Sequence, residues 1–165
     1  MDEAAAKTQL KHLVDKAAGL SGLDFLSEMV EGKATLPLGQ HLGMHLVAVE
    51  AGRARFRLQP SPLLCNPAGV LHGGIYGLLL DSCMGCAVST RCPKGTSYTT
   101  LEYKVNIVRG QNGDAGPIDG EGRVLHFGRR TATAEGKIFS ATGQLIAHGT
   151  TTCLLLGDPA TAKAV

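Results

Sequence analysis

The chain has no tryptophan, and aromatic residues make up only 4% of its 165 positions. Base-stacking platforms for single-stranded nucleic acid are therefore scarce. Charge of one sign is equally scarce. The formal balance is +2, with no basic run of five or more residues, so the electrostatic footprint of a nucleic-acid binder is missing. No uncharged apolar run reaches the roughly 18–20 residues a membrane helix needs, because Asp81 divides the longest one. The N-terminal MDEAAAKTQLKH has no basic-then-apolar leader pattern, and the expected location is the cytoplasm. Five cysteines, an odd number, without a secretion signal argue for free thiols rather than a disulfide framework.

What is present fits one domain with one core. Leu10, Leu13, Val14 and Ala17 follow helical spacing before Gly19, which predicts a short amphipathic helix. A second helical piece, from an Asp24 cap to Val30, stops at Gly32. Pro37 and Gly39 read as loop. The period then changes to two: HLVAVE, the turn Ala51-Gly52 and RARFRLQ predict a β-hairpin. Four further strands are expected at about Tyr98–Val108, Ile118–His126, Arg130–Phe139 and Gln144–Leu155, separated by turn chemistry and read as a meander. The class is α+β, with one long apolar helix that must be wrapped by the sheet because it has no wet face. The divisions are a helical extension over 1–36, a domain over 37–156 and a flexible tail over 157–165.

The chemistry concentrates in NPAGVLHGGIYGLLLDSCMGCAVST, Asn66 to Thr90. Asp81 is the one acid in an apolar helix and must be solvated by something, at a cost of several kcal/mol otherwise. Gly77 and Gly85 lie four residues either side of it, on one helical stripe with Gly74 just above. Each interior glycine costs about 1 kcal/mol relative to alanine, so something large, either another backbone or a ligand, is expected close against that face, or simply tight helix–sheet packing. His72 and Asp81 are nine residues apart, about 900° and about 13.5 Å along a helix. They cannot couple within one helix, so a shared site needs either a loop position for His72 or two subunits. Free amides at Gly73 and Gly74 would suit an oxyanion at the helix start. An acid and an oxyanion site together suggest acyl transfer or hydrolysis.

Asn66, then His72-Gly73-Gly74, then Asp81, with VEAGRARFRL before and TTLEYKVNIVRG and GQLIAHGTTTCLLL after, resemble the hotdog-fold acyl-CoA thioesterases of the phenylacetate-degradation type. The resemblance runs over roughly residues 38–156. It implies a curved antiparallel sheet around the central helix and subunits joined edge to edge, as a homodimer and in many members a homotetramer. Active sites lie at the dimer interface. Asp81 is then the general base or nucleophile, and the Gly73 amide of the other subunit polarises the thioester carbonyl. Asn66 and His72 position thioester or water, and Thr100 holds water near the acid. CoA belongs to the substrate, and no separate cofactor or metal is implied. Val108 and Gly110 depart from the family, which often has an aromatic residue and a proline there.

Other readings are blander. Cys83-Met84-Gly85-Cys86 spells CxxC, but a redox pair belongs at a helix start, and here it reads as core. Gly128, Arg129 and Arg130 form a turn whose guanidinium groups would suit CoA phosphates or simply solvent; Gly74 is a further substrate contact. The histidines have no metal spacing. A hotdog dehydratase and a non-catalytic acyl-CoA sensor are the competing functions.

Overall fold

In the computed structural model, residues 2–157 are described, and the remainder of the tail expected at 157–165 lies outside them. The order is α1 (Glu3–Ala18), α2 (Gly22–Val30), α3 (Pro37–Leu42), β1 (Met44–Glu50), β2 (Arg53–Leu58), a 3-10 turn (Pro62–Leu64), α4 (Gly73–Ser89), β3 (Ser97–Ile107), β4 (Ile118–Phe127), β5 (Thr131–Ser140) and β6 (Leu145–Leu156). The six strands form one antiparallel sheet in the order β1-β2-β4-β5-β6-β3. The last four strands are thus not a simple meander. β3 crosses to the far edge and pairs with β6, leaving β2 free to pair with β4.

The sheet wraps α4, whose Leu79, Leu80, Cys83, Met84, Ala87 and Val88 are fully buried. Strict alternation on β2 turns Ala54, Phe56 and Leu58 inward and Arg53, Arg55 and Arg57 outward. Helix and sheet meet most closely at Gly122 on β4, where a Cβ would sit 2.1 Å from the Cys83 carbonyl oxygen. Only glycine permits that approach.

Two local expectations are corrected. The cap of α2 is Ser21, whose Oγ accepts from the Asp24 amide at 3.2 Å and donates to the Asp24 carboxylate at 2.6 Å. Asp24 is the third helical residue, the position of the acid in a capping box, but its carboxylate takes the Ser21 hydroxyl rather than the Ser21 backbone amide. Pro37 and Gly39 lie inside α3: proline suits the first helical turn, where its missing N–H costs nothing. Gly43, at φ +66°, ends that helix in the left-handed conformation.

The N-terminal helices are tied to the domain. The Gly22 amide donates to the Cys92 carbonyl at 3.0 Å, just beyond the end of α4. Lys16 and Glu28 pair between α1 and α2 at 2.5 Å.

Candidate active site

One face of α4 runs along β3 in the opposite direction, and each position on the glycine stripe has its own neighbour there. A Cβ on Gly73 would meet Ile107 at 3.5 Å, and one on Gly77 would lie 3.4 Å from the Tyr103 ring. Asp81 accepts a hydrogen bond from the Thr100 hydroxyl, Oγ1 to Oδ1 at 2.9 Å. A Cβ on Gly85 would fall 2.5 Å from the Tyr98 hydroxyl oxygen. The large groups against the stripe are therefore tyrosines of the same chain. Sequence reasoning assigned neither Tyr98 nor Tyr103; small residues four apart on a helix, followed by two tyrosines on the next strand, were the available signal.

A β-bulge makes this match possible. The β3–β6 register slips between Thr100 and Glu102, so Leu101 is the extra residue and is 57% exposed. A single inserted residue reverses which parity of a strand faces the core. Tyr98 and Thr100 face α4 before the bulge. Tyr103, Val105 and Ile107 pack towards it afterwards. The even–odd change sits directly beside the acid.

The charge of the half-buried Asp81 carboxylate reaches Tyr98 and the thiols of Cys83, Cys86 and Cys153. Burial pushes the Tyr98 hydroxyl well above its ordinary value, with nearby thiols and Asp81 adding to it. Burial, then the charge of Asp81, lifts Cys86 to about 12. Cys83 and Cys153 are also raised, chiefly by burial. These thiols stay protonated and are poor nucleophiles. Cys83 and Cys86 pack in the core of α4 rather than forming a disulfide.

The helix start is a separate cluster. Residues 64–66 and 70–72 form a small hairpin: the Asn66 amide donates to Val70 O at 2.8 Å and the His72 amide to Leu64 O at 2.9 Å. An isolated bridge joins Cys65 and Leu71. Alternation then sends Leu71 inward and puts Asn66 and His72 on one face, diagonal to each other. Asn66 Oδ1 accepts from the Ala68 amide at 2.9 Å, which leaves its amide NH₂ to donate outward.

His72 is the N-cap of α4, and its Nδ1 accepts from the Gly74 amide at 3.0 Å. The neutral ring therefore carries its proton on Nε2. The expectation of free amides at both glycines is corrected: Gly74 is satisfied by His72, because a cap residue bonds the second or third amide of its helix. Gly73 donates to no acceptor among the described residues. What remains at the helix start is a set of donors, Gly73 N–H, His72 Nε2–H and Asn66 Nδ2–H. All three residues are at least partly exposed.

Within one chain these two clusters are not united; Asp81 lies more than two helical turns from His72. Gly128, Arg129 and Arg130 form the β4–β5 turn, where the Gly128 amide donates to Thr131 O. That turn belongs to the C-terminal end of α4, where Arg91 stacks over the Phe127 ring at 5.6 Å. Arg129 and Arg130 are exposed and form no ion pair among the described residues. Among those residues no group of three His, Cys, Asp or Glu is placed to hold a metal. No helix there is long and apolar enough to cross a membrane.

A six-stranded antiparallel sheet wrapped round one long helix, with a single acid held on that helix, defines a hotdog domain. A family model described as the thioesterase superfamily matches residues 68–147. The chain is 30% identical to a phenylacetic acid degradation-related protein of Ralstonia eutropha JMP134; the TM-score is 0.70, over 78% of this chain and 98% of that one. A mutant of the phenylacetic acid degradation protein PaaI from Thermus thermophilus is 25% identical, with TM-score 0.65, over 72% and 97%. A 1,4-dihydroxy-2-naphthoyl-CoA hydrolase of Listeria monocytogenes is 26% identical over 109 residues, 66% of this chain and 87% of that protein. The chain belongs to the thioesterase superfamily and is an enzyme of the thioester hydrolase class.

Proposed function

We propose that the protein hydrolyses an acyl-CoA thioester to the free acid and CoA, at a site shared between two subunits. The observation that carries the reading is the Thr100–Asp81 bond. It holds a carboxylate oxygen on the glycine-bordered face of an otherwise apolar helix, in a chain of the thioesterase superfamily. Asp81 supplies the acceptor half of the chemistry. Its carboxylate deprotonates the attacking water or itself adds to the thioester carbon. The donors at the helix start of the second subunit, led by the Gly73 amide, receive the carbonyl oxygen as it becomes an oxyanion. In the base route, collapse of the tetrahedral intermediate expels CoA as thiolate, which takes the proton that Asp81 removed from water. In the nucleophile route, collapse expels the thiolate and leaves a mixed anhydride on Asp81. Water then hydrolyses the anhydride to the free acid, restoring the carboxylate and supplying the proton to the thiolate. Asn66 and His72 hold the carbonyl or the water through their outward N–H groups.

The open edge of β3 supports the pairing of subunits. It bonds to β6 on one side only and exposes Leu101, Tyr103, Ile107 and Val108. An 11-residue edge strand with such side chains is a ready template for a second copy. A tetramer would pair two such dimers. Gly74 serves the site by fixing His72, while Arg129 and Arg130 would meet CoA phosphates with their forked donors.

The test is release of CoA from a panel of acyl-CoA substrates by the wild type and Asp81→Asn. Turnover should fall about 10²–10⁴-fold, the range for loss of a general base, with the circular dichroism spectrum unchanged. Full activity in Asp81→Asn would overturn the assignment. Oxygen-18 incorporated from labelled water into the enzyme in one turnover would identify Asp81 as nucleophile.

A further inference from the structure

We infer that Tyr103 closes the acyl pocket and sets the length of acyl group accepted, with the two copies of its ring flanking the dimer axis. The inference rests on the shared-site reading above. If Asp81 of one subunit acts on a carbonyl held at Gly73 of the other, two-fold symmetry requires the reverse pairing as well. The segments from Gly73 to Asp81 then pass each other antiparallel. Their midpoint, Gly77, is the residue nearest the axis.

Tyr103 is the side chain seated on that midpoint. A Cβ on Gly77 would contact its ring Cε2 and hydroxyl oxygen at 3.4 Å. The ring therefore uses the space that glycine leaves. Along the helix it stands about 6 Å from either half-site, four residues in each direction. An acyl chain leaving a carbon held between Gly73 of one subunit and Asp81 of the other meets this ring within a few bonds. Tyr103 is 45% exposed on the open strand edge, and its hydroxyl has no hydrogen-bond partner among the described residues. Packing on Gly77 accounts for the ring, and no contact among the described residues uses the hydroxyl. The bulge at Leu101 is what turns it towards α4 rather than away. Two rings across the axis would separate the two acyl pockets, so one residue limits both.

The experiment measures kcat/KM of the full chain on straight-chain acyl-CoAs from acetyl to palmitoyl. Tyr103→Ala should move the optimum to longer chains, raising the long-to-short ratio by at least about tenfold, the lower end of what one methylene is worth in a pocket. Tyr103→Leu should give a smaller shift in the same direction and serves if the alanine variant folds poorly. An unchanged length profile in the folded variants overturns the inference. Failure of the wild type on every acyl-CoA would instead defeat the underlying function. A second readout does not depend on activity: Tyr103→Cys in a Cys65→Ser background, treated with a short bismaleimide. A covalent dimer on a denaturing gel, absent in Cys65→Ser alone, supports the placement at the axis. A non-covalent dimer that gives no cross-link overturns it.

Discussion

Replacing Gly122 by alanine adds one methyl group where α4 and the sheet touch backbone to backbone. The new Cβ would lie 2.1 Å from the Cys83 carbonyl oxygen, 2.4 Å from its carbon and 2.7 Å from the Met84 nitrogen, where ordinary contact begins at 3.4 Å. None of these atoms can escape by changing rotamer. The helix must retreat by on the order of 1 Å, or β4 must bend, and every buried contact of α4 with β4 loosens. Overpacking of this kind costs about 1–3 kcal/mol and at times more; contact with rigid backbone places Gly122→Ala at the upper end. Alanine's lower chain entropy returns about 0.5–1 kcal/mol at most to the strand. A net loss of about 2–3 kcal/mol lowers the melting temperature of a chain this size by about 4–12 °C. Gly110→Ala, where nothing lies within 4 Å, is the control. Asp81 is two residues from Cys83, so the same retreat should lengthen the Thr100–Asp81 bond and reduce turnover. Calorimetry of both variants checks the energy. A Gly122→Ala protein melting within about 2 °C of Gly110→Ala would refute the account of how helix and sheet are held.

Thr100→Val keeps the shape of the side chain and removes the donor to Asp81. A hydrogen bond to a charged group is worth about 1.5–3 kcal/mol, so kcat should fall about 10- to 100-fold in steady-state kinetics if the bond holds the carboxylate in its reactive position, and the melting temperature should fall by about 3–12 °C. Asp119 on the outer face is held below its ordinary value by hydrogen bonding to Arg57, at 2.7 and 2.8 Å in a two-pronged contact. Because the folded value is depressed, the stabilisation is present above the unfolded value of about 3.9 and is lost as pH falls through the folded value below it. The pair is partly exposed, so Asp119→Asn should cost no more than about 1 kcal/mol at neutral pH. Melting curves of wild type and variant should converge as pH falls through the depressed folded value.

Periodicity made much of the fold legible. The β1–β2 hairpin follows from alternation on either side of Ala51-Gly52, and the wrapped helix from apolar residues on every face of α4. Strand order was not legible, because the placement of β3 beside β6 depends on which edges remain free after the hairpin pairs with β4. α3 was missed because proline is punctuation in a loop and a favoured first residue in a helix, and only the following Gly43 decides between them. At the site, the helical wheel separated Asp81 from His72 by rotation and rise alone. That His72 would satisfy the Gly74 amide was hidden, since histidine is an uncommon cap. The bulge was hidden too: one unpaired residue in TTLEYKVN leaves no mark in composition, yet it decides which side chains reach the helix.

That bulge gives β3 the character of two reading frames joined at Leu101. Upstream, the inward positions carry the polar contact that the acid requires. Downstream, they carry the apolar and aromatic side chains that pack towards α4. Were the same residues laid out as a regular strand with no bulge, Glu102, Lys104 and Asn106 would turn inward in place of Tyr103, Val105 and Ile107, and one alternation could not serve both halves. The offset uncouples them. If Tyr103 bounds the acyl pocket as proposed, substitutions beyond the bulge would reshape what the enzyme accepts while the pairing of Thr100 with Asp81 stays in register.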